Sequence, residues 1–170
     1  MSEQATGNSA TIGSALAGKY LTFALENEIY GLDILKVQEI IGMMEVTRVP
    51  RAPAYVRGVV NLRGKVIPVV DLRTKFGMGV QEDTVRTCIV VVQANTANGE
   101  LTVGGIVDEV SEVVDIGQGE IEPTPSLAGG GGEESFVTAI GKVEGKMVML
   151  LDANKVFASD ELDAAMAAAV

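Results

Sequence analysis

The chain contains no histidine, so any chemistry would come from its carboxylates, its basic side chains and its single cysteine, Cys88. Imidazole bases, zinc sites built on histidine and nucleophiles activated by histidine are therefore excluded. Acid–base catalysis remains open, because it needs only two carboxylates held together with raised pKa values. The residues predict no metal site and no cofactor. An enzyme is accordingly the less favoured class of protein.

Arg63 and Glu39 are the charged residues best placed to make a specific contact. Arg63 is followed by Gly64 between two strand-like runs, which is typical of the tip of a tight hairpin. A guanidinium held there can give two hydrogen bonds to a carboxylate on a partner or a neighbouring lobe. The alternative is an ordinary solvated turn residue. Glu39 could pair with Arg63 or be an ordinary surface carboxylate.

The hairpin around Arg63 occurs twice in the chain. Residues 55–76 read YVRGVVNLRGKVIPVVDLRTKF, and residues 136–157 read FVTAIGKVEGKMVMLLDANKVF. Such a repeat predicts two similar lobes that share an interface. Residues that coincide at a shift of 81 positions include Gly64/Gly145, Lys65/Lys146, Asp71/Asp152 and Phe76/Phe157.

The shared and unshared positions of the repeat predict different roles. Asp71 and Asp152 occupy the same place in both copies, which indicates backbone capping rather than catalysis. At the hairpin tip, by contrast, the second copy has Glu144 where the first has Arg63. We therefore expect the contact surface to lie in the first copy.

Many short runs of β-branched residues separated by glycine turns predict a mainly β protein with two small barrels and a groove between them. Asp33 is predicted to cap a short helix that ends near Gly42. Pro68 predicts an edge strand or a bulge. Residues 1–17 are predicted to be a disordered arm, and residues 159–170 a C-terminal helix or a frayed tail.

Charge is distributed unevenly along the chain. The net charge is −10, which opposes binding to nucleic acid. Residues 46–76 nevertheless hold seven basic side chains and one acidic one, whereas residues 77–170 hold four basic and sixteen acidic ones. This asymmetry suits an oriented protein contact, although for any single one of these residues solvated surface charge is the favoured interpretation. With no signal peptide and no long apolar run, the sequence predicts a cytoplasmic protein that does not insert into a membrane.

Three runs of sequence closely resemble the CheW family of bacterial chemotaxis adaptors. They are YGLDILKVQEI at 30–40, VTRVP at 46–50 and GVVNLRGKVIPVVDLRTKF at 58–76, and later matches are GIVDEVSEV, IEPTP and MLLD. The resemblance covers about residues 18–158. It implies two five-stranded SH3-like β-barrel lobes, near 19–78 and 86–157, with a groove between them. Family lobes can also exchange end strands, so the linear repeat need not map onto intact lobes.

The resemblance implies a scaffold without catalysis. Such an adaptor couples the cytoplasmic tips of transmembrane chemoreceptors to the regulatory domain of the histidine kinase CheA, and is recruited to membrane receptor arrays. The alternative is a paralogous adaptor of another chemosensory system, controlling pili or second messengers. The residues carried over for receptor binding are Ile34, Val37, Glu39 and Val113. Those carried over for kinase binding are Val46, Arg63, Val66 and Leu127.

Overall fold

Strands make up most of the computed structural model, which describes residues 16–78, 82–96, 99–123 and 136–157. Valine and isoleucine, which favour extended backbone, dominate these strands. In the first half of the chain the strands are β1 (Gly18–Leu25), β2 (Glu28–Asp33), β3 (Val37–Gly42), β4 (Val56–Leu62) and β5 (Lys65–Asp71). In the second half they are β6 (Cys88–Thr96), β7 (Gly99–Val107), β8 (Glu109–Ile116), β9 (Ile121–Pro123), β10 (Val137–Val143) and β11 (Lys146–Leu151).

Helical structure in the described ranges is brief. Two short α-helices each follow a repeated hairpin: α1 (Leu72–Lys75) and α2 (Ala153–Phe157). Asp71 and Asp152 precede them, and their carboxylates accept hydrogen bonds from the amides of Arg73 at 3.0 Å and Asn154 at 2.9 Å. The predicted capping role of both aspartates is confirmed. Turns of 3-10 helix cover Ile34–Lys36 and Gln118–Glu120.

The strands form two sheets, and each sheet contains strands from both halves of the chain. One has the order β8-β1-β2-β11-β10-β9 and the other β3-β6-β7-β5-β4. The halves are joined by parallel pairing of β2 with β11 and of β5 with β7. Strands are thus exchanged across the linear ranges 19–78 and 86–157. We call these sheets the six-stranded and the five-stranded lobe.

The five-stranded lobe closes on itself where its two edge strands meet. Thr47, just beyond β3, and Val59 of β4 exchange two backbone hydrogen bonds of 2.8 Å each. At this seam Gly58 has φ +149°, and a Cβ atom there would lie 2.1 Å from the Thr47 carbonyl oxygen. Only glycine lets the two chain segments approach this closely. The predicted mainly β fold with two barrel lobes is confirmed, but one lobe has six strands rather than the five expected.

Three clusters of buried side chains hold the molecule together. One lies within the six-stranded lobe around Ile116 and Leu150, and one within the five-stranded lobe around Ile67 and Val91. The largest is shared between the lobes and includes Phe23, Leu32, Val70, Val90 and Phe157. The lobes therefore meet through packed apolar side chains, which favours a fixed relative position.

Aromatic rings cross this shared core in a row. Phe23 and Tyr30 lie 6.0 Å apart between ring centroids, Tyr30 and Phe76 5.6 Å, and Phe76 and Phe136 5.2 Å. Phe76 follows the first repeated hairpin, whereas Phe136 begins the second. The row therefore links the two copies directly.

The short helix predicted between Asp33 and Gly42 is wrong beyond its first turn. Asp33 does cap that turn, accepting a 2.9 Å hydrogen bond from the Leu35 amide. From Val37 onward, however, the chain is strand β3, because it pairs with β6. The edge strand or bulge predicted at Pro68 is also wrong, because Pro68 lies in β5, an interior strand, one residue before the ladder with β7 begins at Val69. The bulge in this hairpin is on β4, between Val56 and Gly58.

Two of the predicted terminal segments fall mainly outside the described residues. The predicted C-terminal helix or tail at 159–170 lies entirely outside the described residues. Leu127, which was carried over for kinase binding, also lies outside them. Of the predicted arm at 1–17, Leu16 is described: it packs against the core of the six-stranded lobe, and its carbonyl accepts a hydrogen bond from the Tyr20 hydroxyl. Within the described ranges, no helix has the length and apolar character needed to cross a membrane.

Candidate binding surface

The tip of the β4–β5 hairpin holds Arg63 in a fixed backbone conformation. Arg63 and Gly64 have φ of +53° and +86°, the left-handed pair that a two-residue hairpin turn needs. The Asn61 side chain accepts a 2.8 Å hydrogen bond from the Gly64 amide and closes the turn. Glu144 and Gly145 repeat this geometry with φ of +50° and +80°. The predicted hairpin tips are confirmed in both copies.

Arg63 donates a charge-assisted hydrogen bond to the carboxylate of Glu39. Glu39 lies on β3 and Arg63 follows β4, so the pair joins the two edge strands of the five-stranded lobe beside the Thr47–Val59 seam. The bond from Glu39 raises the pKa of the Arg63 guanidinium. The Arg63 side chain is 69% exposed. An exposed pair adds little to stability, but it orients both groups at the surface.

Apolar residues border the shared core on the side where the lobes meet. Ile34 and Val37 are half-buried against that core. Val113 pairs with Leu21 across β1 and β8, so it lies on the same face as this core residue, yet it is 49% exposed. Of the four residues carried over for receptor binding, Ile34 and Val37 thus pack against the inter-lobe core, Val113 shares a strand face with Leu21 of that core, and Glu39 lies on β3 with Val37. Next to Ile34, Leu35 is 87% exposed.

Ile40 belongs to the same border but is absent from the residues that the sequence indicated. It pairs with the buried Val90 of the shared core, and its own side chain is 43% exposed. The reason for the omission is the mistaken helix, since a strand places Ile40 and Glu39 on opposite faces. Residues 37–41 read VQEII and do not alternate between polar and apolar, so no local signal would have found it.

Three residues carried over for kinase binding, Val46, Arg63 and Val66, lie on the five-stranded lobe, and the fourth, Leu127, lies outside the described residues. Val46 is partly buried and packs against the core of that lobe. Val66 is 52% exposed on β5, three positions from Arg63. Its neighbour Ile67 points into the core, so Val66 faces outward. Val66 and Arg63 therefore share one hairpin tip, whereas Val46 lies near the seam.

A buried arginine forms an ion cluster that the sequence did not indicate. The Arg73 side chain is almost completely buried and contacts Asp71 at 2.9 Å, Asp83 at 3.1 Å and Asp108 at 3.0 Å. Arg57 adds contacts to Asp71 at 2.9 Å and Asp83 at 3.1 Å. The repeat contained a hint, because the counterpart of Arg73 in the second copy is Asn154.

The convergent carboxylates of this cluster are unsuited to acid–base catalysis. Burial raises the pKa of Asp71, but hydrogen bonds from Arg73 and Arg57 outweigh it and leave the pKa below its usual value. A hydrogen bond from Arg57 is the main cause that lowers the pKa of Asp83. A carboxylate enzyme would need at least one raised pKa here. The cluster is therefore structural, and the fold and surface define a binding protein built from two β-barrels.

Comparison with known proteins identifies the family. Residues 19–161 match the model of the CheW-like domain. "Chemotaxis protein CheW" of Klebsiella aerogenes is 39% identical over 151 residues, covering 88% of this chain and 87% of that protein. The same-named protein of Rhizobium meliloti is 39% identical over 145 residues, covering 85% and 90%. The crystal structure of the scaffolding protein TtCheW from Thermoanaerobacter tengcongensis superposes with a TM-score of 0.74 at 34% identity, covering 86% and 96%.

The chain belongs to the CheW family. It is a non-catalytic adaptor of bacterial chemotaxis, as the names of its relatives and its structural similarity to a scaffolding protein indicate. The resemblance seen in the sequence is confirmed.

Proposed function

We propose that this adaptor couples the cytoplasmic tips of transmembrane chemoreceptors to the regulatory domain of the histidine kinase CheA, and that these contacts recruit it to membrane arrays. The proposal is supported by family membership and by two separate sets of exposed apolar residues. One set borders the inter-lobe core, and the other lies on the β4–β5 hairpin of the five-stranded lobe.

The receptor surface comprises Ile34, Val37 and Val113, with Glu39 nearby. Half-buried aliphatic side chains around a packed core offer an apolar strip with a charged edge. A helical hairpin presents a matching strip when its apolar residues recur every three or four positions. Burial of Val113, now 49% exposed, would contribute part of the binding free energy.

The kinase surface comprises Val46, Arg63 and Val66, together with Leu127. The observation that carries the proposal is the ion pair between Arg63 and Glu39, because it joins the two surfaces. A receptor that binds the Glu39 carboxylate would change the orientation of Arg63, and hence the position of the kinase. Coupling of this kind needs two sites and one element that both ligands bias.

The test is reconstitution with a receptor signalling tip and CheA. Val113→Glu should weaken receptor binding while leaving kinase binding intact, and Val66→Glu should do the reverse. Met147→Glu is the matched control, because Met147 is the counterpart of Val66 in the second copy and is 66% exposed. It should leave both activities unchanged. Equal losses in all three variants would contradict the assignment of two separate surfaces.

A further inference from the structure

A pocket of about 640 Å³ lies beside the connector between β3 and β4. Its walls come from residues 48–54, from Val56 and Arg57 of β4, and from Asp71, Thr74 and Asp83. Pro50 and Pro53 restrict the connector's backbone. Hydrogen bonds from the Ala52 amide to the Val49 carbonyl, at 3.4 Å, and from the Val56 amide to the Pro53 carbonyl, at 2.9 Å, fold it into turns. The pocket is thus built from constrained backbone.

The carboxylates at one end of the pocket are already neutralised. Asp71 and Asp83 each contact both Arg57 and Arg73. A basic ligand would therefore find no unpaired carboxylate among these lining residues. It would also meet the guanidiniums of Arg57 and of the connector. A cationic ligand is disfavoured on both counts.

Two arginines on the connector carry positive charge that no described carboxylate neutralises. Arg48 and Arg51 are exposed, and neither forms a salt bridge with any residue that the structure describes. Arg51 has φ +63°, a conformation that is uncommon outside glycine and often marks functional positions. In a chain of net charge −10, unpaired guanidiniums over one pocket form a local anion-attracting site.

Apart from Thr74, the rest of the pocket wall is apolar, with Val49, Pro50, Ala52, Pro53 and Val56 contributing. A ligand that fits must therefore combine anionic groups with small apolar groups. An inorganic anion supplies only the first of these and would fill little of the volume. An extended peptide with acidic and small apolar side chains supplies both.

We propose that this pocket binds an acidic peptide segment of a protein partner, with Arg48 and Arg51 holding its carboxylates. The site uses none of the residues assigned above to the receptor or the kinase. The net charge of −10 repels an acidic segment from most of the surface, so binding is confined to this place and weakens as salt rises.

The experiment measures fluorescence anisotropy of a labelled peptide that alternates glutamate with alanine and valine. The protein is the full chain. The double variant Arg48→Ala/Arg51→Ala should weaken binding about tenfold or more, and a peptide with glutamine in place of glutamate should lose a similar factor. The control is Lys19→Ala/Arg86→Ala. It removes the same charge from two exposed side chains outside the pocket and should change binding less than about twofold.

Three results would overturn the proposal. An equal loss in the control variant and the pocket variant would mean that binding reports net charge alone. Complete displacement of the peptide by inorganic phosphate at the peptide's own concentration would instead define a small-anion site. A large gain in peptide affinity on deleting residues 158–170, which include Asp160, Glu161 and Asp163, would assign the pocket to the chain's own acidic segment.

Discussion

Arg73 and Asp108 tie the two lobes together through a 3.0 Å ion pair. Arg73 lies on α1, directly after β5 of the five-stranded lobe, whereas Asp108 lies between β7 and β8, where the chain passes into the six-stranded lobe. Asp108 also accepts a 2.6 Å hydrogen bond from the Glu26 amide in the β1–β2 turn, and its own amide donates to the Ala24 carbonyl at 3.1 Å. A buried cation thus links elements of both lobes.

Removal of this cation should destabilise the fold. Arg73→Ala leaves Asp71, Asp83 and Asp108 without their shared partner, so we expect the free energy of unfolding to fall by about 3 kcal/mol or more. Arg73→Lys should retain only part of the stabilisation, because an ammonium keeps the charge but cannot reproduce the planar fork of donors. Urea unfolding measures the change. Arg86→Ala, at an exposed arginine, is the control and should stay within about 0.5 kcal/mol.

The same cluster predicts acid sensitivity. The pKa values of Asp71 and Asp83 are lower in the folded protein than their usual 3.8, so the folded state binds fewer protons than the unfolded state. Their contribution to stability is present above about pH 4 and is lost as the pH falls through the folded-state pKa values. The free energy of unfolding should therefore drop with pH in this range. In Asp83→Asn the drop should be smaller, and an unchanged slope would contradict the cluster's role.

The seam of the five-stranded lobe should depend on Gly58. In Gly58→Ala the new Cβ would lie 2.1 Å from the Thr47 carbonyl oxygen, at a φ that alanine rarely adopts. We expect a loss of about 2 kcal/mol or more in the free energy of unfolding. Gly42→Ala on β3 is the control, because no atom lies within 4 Å of the added carbon. Comparable losses in both variants would show that the seam has no special role.

Reversal of the charge at the hairpin tip should affect assembly more than folding. Arg63→Glu places a carboxylate opposite Glu39, and the exposed turn tolerates the change, so the melting temperature should move little. Kinase activation in the reconstituted receptor complex should fall. The exchange variant Arg63→Glu/Glu39→Arg should recover part of the kinase activation if activation depends on the ion pair itself. Glu144→Arg at the equivalent tip is the control and should leave activation intact.

Much of the fold could be predicted because the signals are local. A two-residue turn needs positive φ, which Gly64 and Gly145 provide, and a helix start needs a side-chain acceptor, which Asp71 and Asp152 provide. The wrong prediction of a helix at 37–42 also has a physical reason. Its short apolar pattern fits either a turn of helix or a strand, and pairing with β6 decides between them.

By itself the sequence determined the mainly β class, the repeated hairpins, the capping aspartates and the family. Only the tertiary structure decided that strands exchange between the halves, that Glu39 meets Arg63, and that Arg73 lies buried among three aspartates. Glu39 and Arg63 are 24 positions apart in the sequence, and Arg73 and Asp108 are 35 positions apart. Local patterns specify backbone conformation and the buried face of a strand. The order of strands in a sheet depends on contacts between distant residues, which no local pattern records.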